Sequence, residues 1–569
     1  LLWCGVLAYL LPGILGHDPW KQDETYTFGI IHHMLLSGDL LVPVNAGQPF
    51  MEKPPLYDWL AAGLAKLLSP WLPLHDGARL ASALCMALAL AAGAFTARLA
   101  WRAQSLRDTR VLGTVALFAC SFGVLKHAHD LFTDGALVAG AACGLYGLLR
   151  IATSMSGARG PAELQGACWL GIGVGVTVMT KGVFVPLVFG ATALGLPLAV
   201  RECRSVRYAC ALGLAVVTCL PFALIWPALL WHRSPWLFMA WLWDNNVGRF
   251  FGFSVPQLGA ENDQPLYVVR AMWFFGFPAV PLAALGLLRG GWRRWREPRV
   301  AVPLLFSTTG IVVLEMSATA RMLYLLPFML PLSLLGGYGV ARLPASFHGA
   351  WDWFNRIAFT VAGALVWIVW YLMRGPLEGR KWLTGLGRWL PLDYAMPEQP
   401  WAVAAALAMT LGWLYACWRI TPHGWWRGII SWSAGLTLAW GLVFTLLLPW
   451  INDSKSYGPV FADLAARIGP RWRPGDCMAS LDLGESEAPM LLYYTGRLHR
   501  PVTDTAAASC RWLIVQAGYG AAARPPGNWI PFWRGARQGD HGQSLRVFIR
   551  PPYDGTPGGP PFIFRPEAP

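Results

Sequence analysis

The sequence predicts a polytopic α-helical membrane protein with a small α/β domain at its C-terminal end. Three observations carry that expectation. Of 569 residues, 55% are hydrophobic and 13% charged, whereas a soluble chain carries about 25% charged residues. Apolar stretches able to cross ~30 Å of hydrocarbon recur from Leu1 to Trp450, with cations gathered in the short loops between them. From Ile451 onward the composition turns polar and the hydrophobic pattern changes. The formal net charge of +14 does not point to nucleic acid. Its arginines sit in loops between apolar runs, where charge sets topology and meets anionic lipid.

Taken in order, the expected spans are Leu1–Gly16, Arg79–Ala100, Arg110–Lys126, Leu131–Ala152, Gly166–Thr180, Gly182–Val200, Arg207–Trp231, Leu266–Leu288, Val300–Leu314, Arg321–Ala341, Ile357–Met373, Trp401–Trp418 and Gly428–Trp450. That makes about thirteen transmembrane helices. The first reads as a span lacking its cytoplasmic flank rather than as a signal peptide. Alternate counting puts the clusters around Arg102, Arg204, Arg293 and Arg427 on one side, the cytoplasm by the positive-inside rule. The loop 17–78, the loop Trp231–Pro265 and the C-terminal region then face outward. One loop dissents, with Arg374, Arg380, Lys381 and Arg388 outside. Either a span is miscounted or those cations meet an anionic substrate.

The chain therefore divides into a membrane domain, 1–450, and a soluble domain, 451–569. In the latter, Tyr457–Ile468 and Ala488–Tyr494 read as helices and Cys477–Leu483, Cys510–Gln516 and Ser544–Arg550 as short strands. The tail Pro551–Pro569 reads as irregular. Of eleven cysteines, Cys477 and Cys510 alone lie in the polar region, and whether they pair is open.

The loop after the first apolar run concentrates ionisable groups. Asp23 and Glu24 open a stretch with Phe28, Ile31, Met34 and Leu35 on one helical face, suited to a helix in the membrane interface. The plain reading makes Asp23 an N-cap and Glu24 a first-turn acid. Glu52-Lys53-Pro54-Pro55 precedes an amphipathic helix, Leu56–Leu68. Pro55 accounts for the helix start but not for the charges; Lys53 suits a lipid phosphate, and Glu52 a sugar hydroxyl, an amine or a divalent cation. Asp130 and Asp134 fall at i and i+4 at the mouth of a span, where an acid needs pairing or function. Lys181 lies between two apolar runs and needs a partner or a route to the surface. Asn245, Asn246 and Arg249 precede Phe250-Phe251, and Ser317, Arg321 and Tyr324 open a later span. The plain reading of the aromatic residues is an interfacial belt.

In this order, these residues resemble the membrane glycosyltransferases that take sugar from a polyprenyl phosphate, the protein O-mannosyltransferase-like group. Within it the likeness is to the bacterial lipid A aminoarabinose transferases. It rests on Asp23-Glu24, on SGDLLVP followed by EKPPLYDWL, on Phe132-Thr133-Asp134, on Thr180-Lys181-Gly182, on Asn246-x-x-Arg249-Phe250, on Ser317…Arg321…Tyr324-x-x-Pro327 and on Lys455-Ser456-Tyr457. Two places depart from the family's habit: Tyr26-Thr27 stands where an Arg-Tyr step is common, and Arg321 where Lys is usual.

The resemblance implies a GT-C-type fold with interfacial helices in the first outer loop and a periplasmic C-terminal domain. It implies an inner-membrane enzyme that transfers 4-amino-4-deoxy-L-arabinose, with inversion, from undecaprenyl phosphate to a lipid A phosphate, a modification tied to polymyxin resistance. Asp23 would be catalytic, with Asp130 or Asp134 as the second acid. Lys53, Arg249, Arg270, Lys181, Tyr324 and Arg321 would bind the donor phosphate; Glu24, Tyr26 and Asn246 would contact sugar or acceptor. Glu52 with His232 could hold Zn or Mg. Membrane lipids are the remaining partners, with no nucleic acid. The competing readings are a related transferase acting on protein or another glycan, a transporter of lipid-linked sugars, and an envelope scaffold.

Overall fold

A computed structural model describes residues 2–158, 160–255, 264–419, 426–518, 528–540 and 542–550. Among them nine helices are long and apolar enough to cross a membrane, or ten if Tyr267–Phe275 and Ala279–Leu288, bent by 106°, form one span. The expectation was about thirteen. Three of the apolar runs fold as shorter helices: Leu2–Leu10, Thr109–Ala119 (separated from Phe122–His127 by a break at Cys120-Ser121) and Phe184–Ala199. A helix of 11 residues rises only ~16 Å, about half the hydrocarbon thickness. Hydropathy averaged over a span does not register such a break, because one polar residue such as Ser121 barely lowers the mean of an apolar run.

The helices Asp134–Ser154 (α1) and Pro161–Lys181 (α2) pack antiparallel along most of their length. Small residues allow it: a Cβ on Gly173 would lie 2.3 Å from the Gly144 backbone nitrogen. Close backbone approach through small side chains is the usual route to helix association where hydrophobic burial offers little drive. The arrangement brings the N-terminus of α1, with Asp134, to the C-terminus of α2, with Lys181. Each charge complements the dipole of its own helix end.

The first outer loop holds the helix Asp23–Ser37 (α3), a small hairpin of Val44–Asn45 (β1) and Gln48–Pro49 (β2), and the helix Leu56–Leu68 (α4) with its expected bounds. Contrary to the expectation of a helix lying in the membrane interface, α3 is buried from Glu24 to Ile31. The C-terminal domain covers it. The helix Glu487–Thr495 (α5) packs on α3, and Phe28 meets Tyr493 edge-on at 4.8 Å. Gly29 makes the approach possible, since a Cβ there would lie 2.3 Å from Pro489 Cβ. Gly29→Val is therefore expected to cost about 1–3 kcal/mol by overpacking, seen as a lower Tm and faster proteolytic release of the C-terminal domain.

That domain is a mixed sheet in the order β4-β3-β5-β7-β6, built from Met478–Leu481 (β3), His499–Pro501 (β4), Trp512–Gly518 (β5), Ile530–Gly535 (β6) and Gln543–Ile549 (β7). The strands β3, β5 and β7 and the helices Gly458–Ile468 and α5 fall where the pattern placed them. The strands β4, of three residues, and β6, with a register shift between Pro531 and Trp533, carry no alternation to read. Cys477 and Cys510 form a disulfide. The tail Pro551–Pro569 lies outside the described residues, as do residues 256–263 of the Trp231–Pro265 loop.

The dissenting cationic loop lies on the same side as the C-terminal domain. Ser454 Oγ donates to Trp389 O at 2.7 Å, and Gly539 N to Ser454 O at 3.1 Å. Arg380 is buried and ties the loop together, donating to Leu392 O at 2.6 Å and Tyr394 O at 2.8 Å. At least this one of the four cations serves the loop's own shape.

Candidate active site

Four separate segments converge on one cavity of about 220 Å³. The loop before α4 contributes Glu52 and Lys53; the end of α2 contributes Lys181. The segment after the Val206–Arg233 helix contributes Asn245, Asn246, Arg249, Phe250 and Phe251, and the approach to the Met322–Val340 span contributes Ser317, Thr319 and Tyr324. Leu137, Val183, Phe184, Leu187, Val313 and Leu314 complete an apolar wall.

The cations are fixed before any ligand arrives. Lys181 pairs with Asp134, which is fully buried and keeps Oδ2 without a hydrogen-bond partner. The Lys181 ammonium also lies 4.2 Å from the centre of the Tyr324 ring, a cation–π contact. Arg249 Nη1 is 3.3 Å and Lys53 Nζ 3.9 Å from Glu52 Oε1. Burial opposes the Glu52 carboxylate, but Lys53, Arg249 and Lys181 hold it below the usual carboxylate range. Burial likewise opposes the Lys53 ammonium, and Tyr26, Glu52, Asp134 and Asp23 hold its pKa well above the ordinary lysine value. The cations Lys53, Lys181 and Arg249 outnumber the carboxylates Glu52 and Asp134 that pair with them by one.

The backbone accommodates this convergence at Gly182, whose φ is +76°. A Cβ there would lie 1.9 Å from Asn246 Oδ1. Asn246 is held in turn by its Nδ2 donating to Trp241 O at 2.8 Å. The sequence Thr180-Lys181-Gly182 thus places a cation and then vacates space for an amide.

Asp23 sits beside the cavity rather than in its wall. It is the first residue of α3, whose N-cap is Gln22, so its carboxylate does not cap the helix. The Tyr26 hydroxyl donates to Asp23 Oδ1 at 2.7 Å and accepts from Lys53 Nζ at 2.7 Å. A hydrogen-bonded chain therefore connects Asp23 to the cation at the cavity rim. The ammonium of Lys53 retains further donors for a ligand.

Glu24 faces elsewhere. Its oxygens accept from Trp20 N at 2.9 Å, Leu131 N at 2.8 Å and Arg79 Nε at 3.1 Å. Arg79 is fully buried and also donates to Asp76 Oδ1 at 2.9 Å and Ile14 O at 3.0 Å. Glu24 is thus a clamp that locks the first outer loop to the membrane helices, with no oxygen turned to the cavity. Asp130 is separated from Asp134 by function as well as sequence: its Oδ2 is 2.7 Å from His127 Nδ1, and its side chain is 38% exposed. Arg270, Arg321 and His232 are exposed and do not line the cavity. Glu52 lines the cavity wall and His232 does not. Among the described residues no group of three or more His, Cys, Asp or Glu is arranged to hold a metal ion.

Two acids escaped the sequence reading. Glu485 reaches the site from the C-terminal domain. Burial, then Glu52, push its carboxyl above the usual range, while Arg249, Lys53 and Arg321 oppose them. Asp58, one turn into α4, is 2% exposed with Oδ1 unpartnered, and burial pushes it up to about 7 against the pull of Lys53. An acid raised this way binds a proton in the folded chain between its unfolded value, 3.8, and about 7. Folded stability then declines as pH rises through that window. Asp58→Asn is expected to remove the decline, gaining up to about 4 kcal/mol above pH ~7 and nothing below pH ~4, which Tm measured against pH would report.

With this geometry in place, comparison with known proteins is informative. Residues 6–234 match the family model described as dolichyl-phosphate-mannose-protein mannosyltransferase. The undecaprenyl phosphate-alpha-4-amino-4-deoxy-L-arabinose arabinosyl transferase of Pseudomonas aeruginosa is 28% identical over 351 residues, 59% of this chain and 58% of that protein. Transferase 1 of that name from Sodalis glossinidius is 29% identical over 441 residues, 73% of this chain and 70% of that protein. The matches to the Pseudomonas relatives span about three-fifths of those proteins' length, 58% and 61% in two of them. Among solved structures, ArnT from Cupriavidus metallidurans bound to undecaprenyl phosphate superposes with a TM-score of 0.67 at 17% identity, covering 96% of this chain and 97% of that one. The chain has the ArnT fold. The chain shares that fold over nearly its whole length and is a multi-pass membrane protein.

Proposed function

We propose that this chain is an inverting glycosyltransferase that moves 4-amino-4-deoxy-L-arabinose from undecaprenyl phosphate to a lipid A phosphate on the periplasmic face of the inner membrane. The observation that carries the reading is the single cavity in which Lys53, Lys181 and Arg249 meet beneath an apolar wall. Three cations exceeding their paired acids by one suit a phosphodiester of one negative charge, and Phe184, Leu187 and Val313 suit the first units of its polyprenyl chain. The sugar then projects toward Asp23. Glu485, outside that count, lies near the same region and suits a sugar carrying an ammonium group.

In this reading the acceptor phosphate oxygen attacks the anomeric carbon from the side opposite the leaving lipid phosphate, and the configuration inverts. The carbon–oxygen bond to the donor breaks with its electron pair going to the departing phosphate, which Lys53 and Arg249 receive. The acceptor passes from dianionic monoester to monoanionic diester while the donor does the reverse, so no proton need move. Asp23, oriented by Tyr26, stabilises positive charge developing on the sugar ring. Asp134 acts as the second acid by fixing Lys181. Glu52 already has cations as partners, so no step is routed through a metal. The disulfide of the C-terminal domain suits an oxidising compartment on that side of the membrane.

Purified chain incubated with labelled undecaprenyl-phosphate aminoarabinose and lipid A tests the proposal. The expected product is lipid A bearing an aminopentose on phosphate. The match to a protein mannosyltransferase family favours one rival, transfer of a hexose to protein, and that product in place of the first would replace this reading.

A further inference from the structure

We propose that Lys455 and Lys126 form a second phosphate site, beside Trp20 and Asp130, that holds the phosphate of the acceptor lipid. The inference rests on the transferase reading above. Lys455 ends the helix Leu448–Lys455, and its ammonium lies 4.6 Å from the centre of the Trp20 ring. Asp130, Glu24, Arg537 and Lys126 are within electrostatic reach of it. Three of these are already engaged: Glu24 with Arg79 at 3.1 Å, Arg537 with Asp540 at 2.9 Å and Asp130 with His127 at 2.7 Å. Among the described residues neither Lys455 nor Lys126 has an ion pair or a hydrogen bond from its ammonium group. Two ammonium groups thus keep free donors next to a carboxylate–histidine pair that is partly exposed.

The neighbouring residues have structural duties that Lys455 lacks. Ser456 Oγ donates to Asp18 Oδ2, and the Tyr457 hydroxyl donates to Glu487 Oε1 at 2.6 Å. Asn452, one turn earlier, accepts from Asp18 N at 2.9 Å and Trp20 Nε1 at 3.0 Å. These bonds fasten the Lys455 helix to the loop that carries Asp23, so the ammonium is positioned without being used.

The location fits the acceptor rather than the donor. Trp20, Lys126, Asp130 and Lys455 do not line the donor cavity. Consecutive residues point two ways: Asp23 connects through Tyr26 to Lys53 at that cavity, while Glu24 connects to Trp20 and Leu131 beside Lys455 and Asp130. Inversion requires the nucleophile and the leaving phosphate on opposite sides of the anomeric carbon. A dianionic phosphate at Lys455 and Lys126, with donor phosphate at Lys53 and Arg249, provides two separated anion sites joined through the consecutive residues Asp23 and Glu24.

The test uses the full chain, with undecaprenyl-phosphate aminoarabinose as donor and bisphosphorylated lipid A as acceptor. Lys455→Met and Lys126→Met are each expected to raise the acceptor KM about tenfold, the double variant more, with donor KM within about twofold of wild type. Lys455→Arg should restore acceptor KM. Lipid A binding, read by native mass spectrometry, should weaken in parallel. Unchanged acceptor KM and lipid A binding in the double variant, or an equal rise in donor KM, overturns the site. If wild type binds lipid A through Lys455 yet forms no product, the transferase reading fails and the anion site stands.

Discussion

Asp23→Asn is expected to lower transfer on the order of 10³-fold while leaving donor affinity within about twofold of wild type. The asymmetry follows from where the residue sits. Asp23 does not line the cavity, and its only hydrogen-bonded partner among the described side chains is Tyr26. Asn can still accept that bond, so the chain Tyr26–Lys53 and the cations around Glu52 persist. What disappears is a negative charge near the sugar ring, needed only as the anomeric carbon becomes electron-poor. An interaction made in the transition state alone lowers kcat and kcat/KM together and spares binding. Single-turnover transfer, alongside undecaprenyl phosphate binding, checks the prediction; transfer near the wild-type rate would remove Asp23 from the catalytic role.

Lys53→Met should behave differently, raising the donor KM by about 30- to 100-fold and lowering kcat as well. Lys53 is 8% exposed, so its phosphate contact is charge-assisted in a site with little competing water. Its loss also leaves Glu52 balanced by Arg249 alone among its nearby ion pairs. The kcat effect arises because the Tyr26 hydroxyl loses the donor that directs it toward Asp23. Competition by undecaprenyl phosphate should weaken in proportion to donor KM. A variant with normal donor KM and reduced kcat would instead make Lys53 a positioning residue for Asp23.

Much of this site was legible before the fold. Lys53, Lys181, Asn246 and Arg249 stand out in the sequence as charges or an amide beside apolar runs, Tyr324 as a residue opening a span, and all line one cavity. The same reasoning places Glu24, Arg270, Arg321 and His232 among the ligand or metal contacts, and none of them lines the cavity. A carboxylate in a membrane-edge loop can serve a ligand or a buried arginine, and sequence does not say which; Arg79, 65 residues from Ile14 and 55 from Glu24 along the chain, answers for Glu24. The apolar wall was illegible for the opposite reason. Where 55% of residues are hydrophobic, Leu187 or Val313 carries no distinguishing mark.

By itself the sequence determined the membrane class, the α/β character of the C-terminal region and the identity of the cavity's cations. These follow from local quantities: hydropathy over a span, charge in a loop, alternation along a strand. Only the tertiary structure decided that the apolar runs at Thr109 and Phe184 fold as helices of 11 and 16 residues, that Asp134 rather than Asp130 pairs with Lys181, and that α3 is roofed by the C-terminal domain. Each depends on which distant segments come within a few ångströms. That is set by packing through small residues such as Gly29, Gly144 and Gly173, and leaves no trace in the neighbouring sequence.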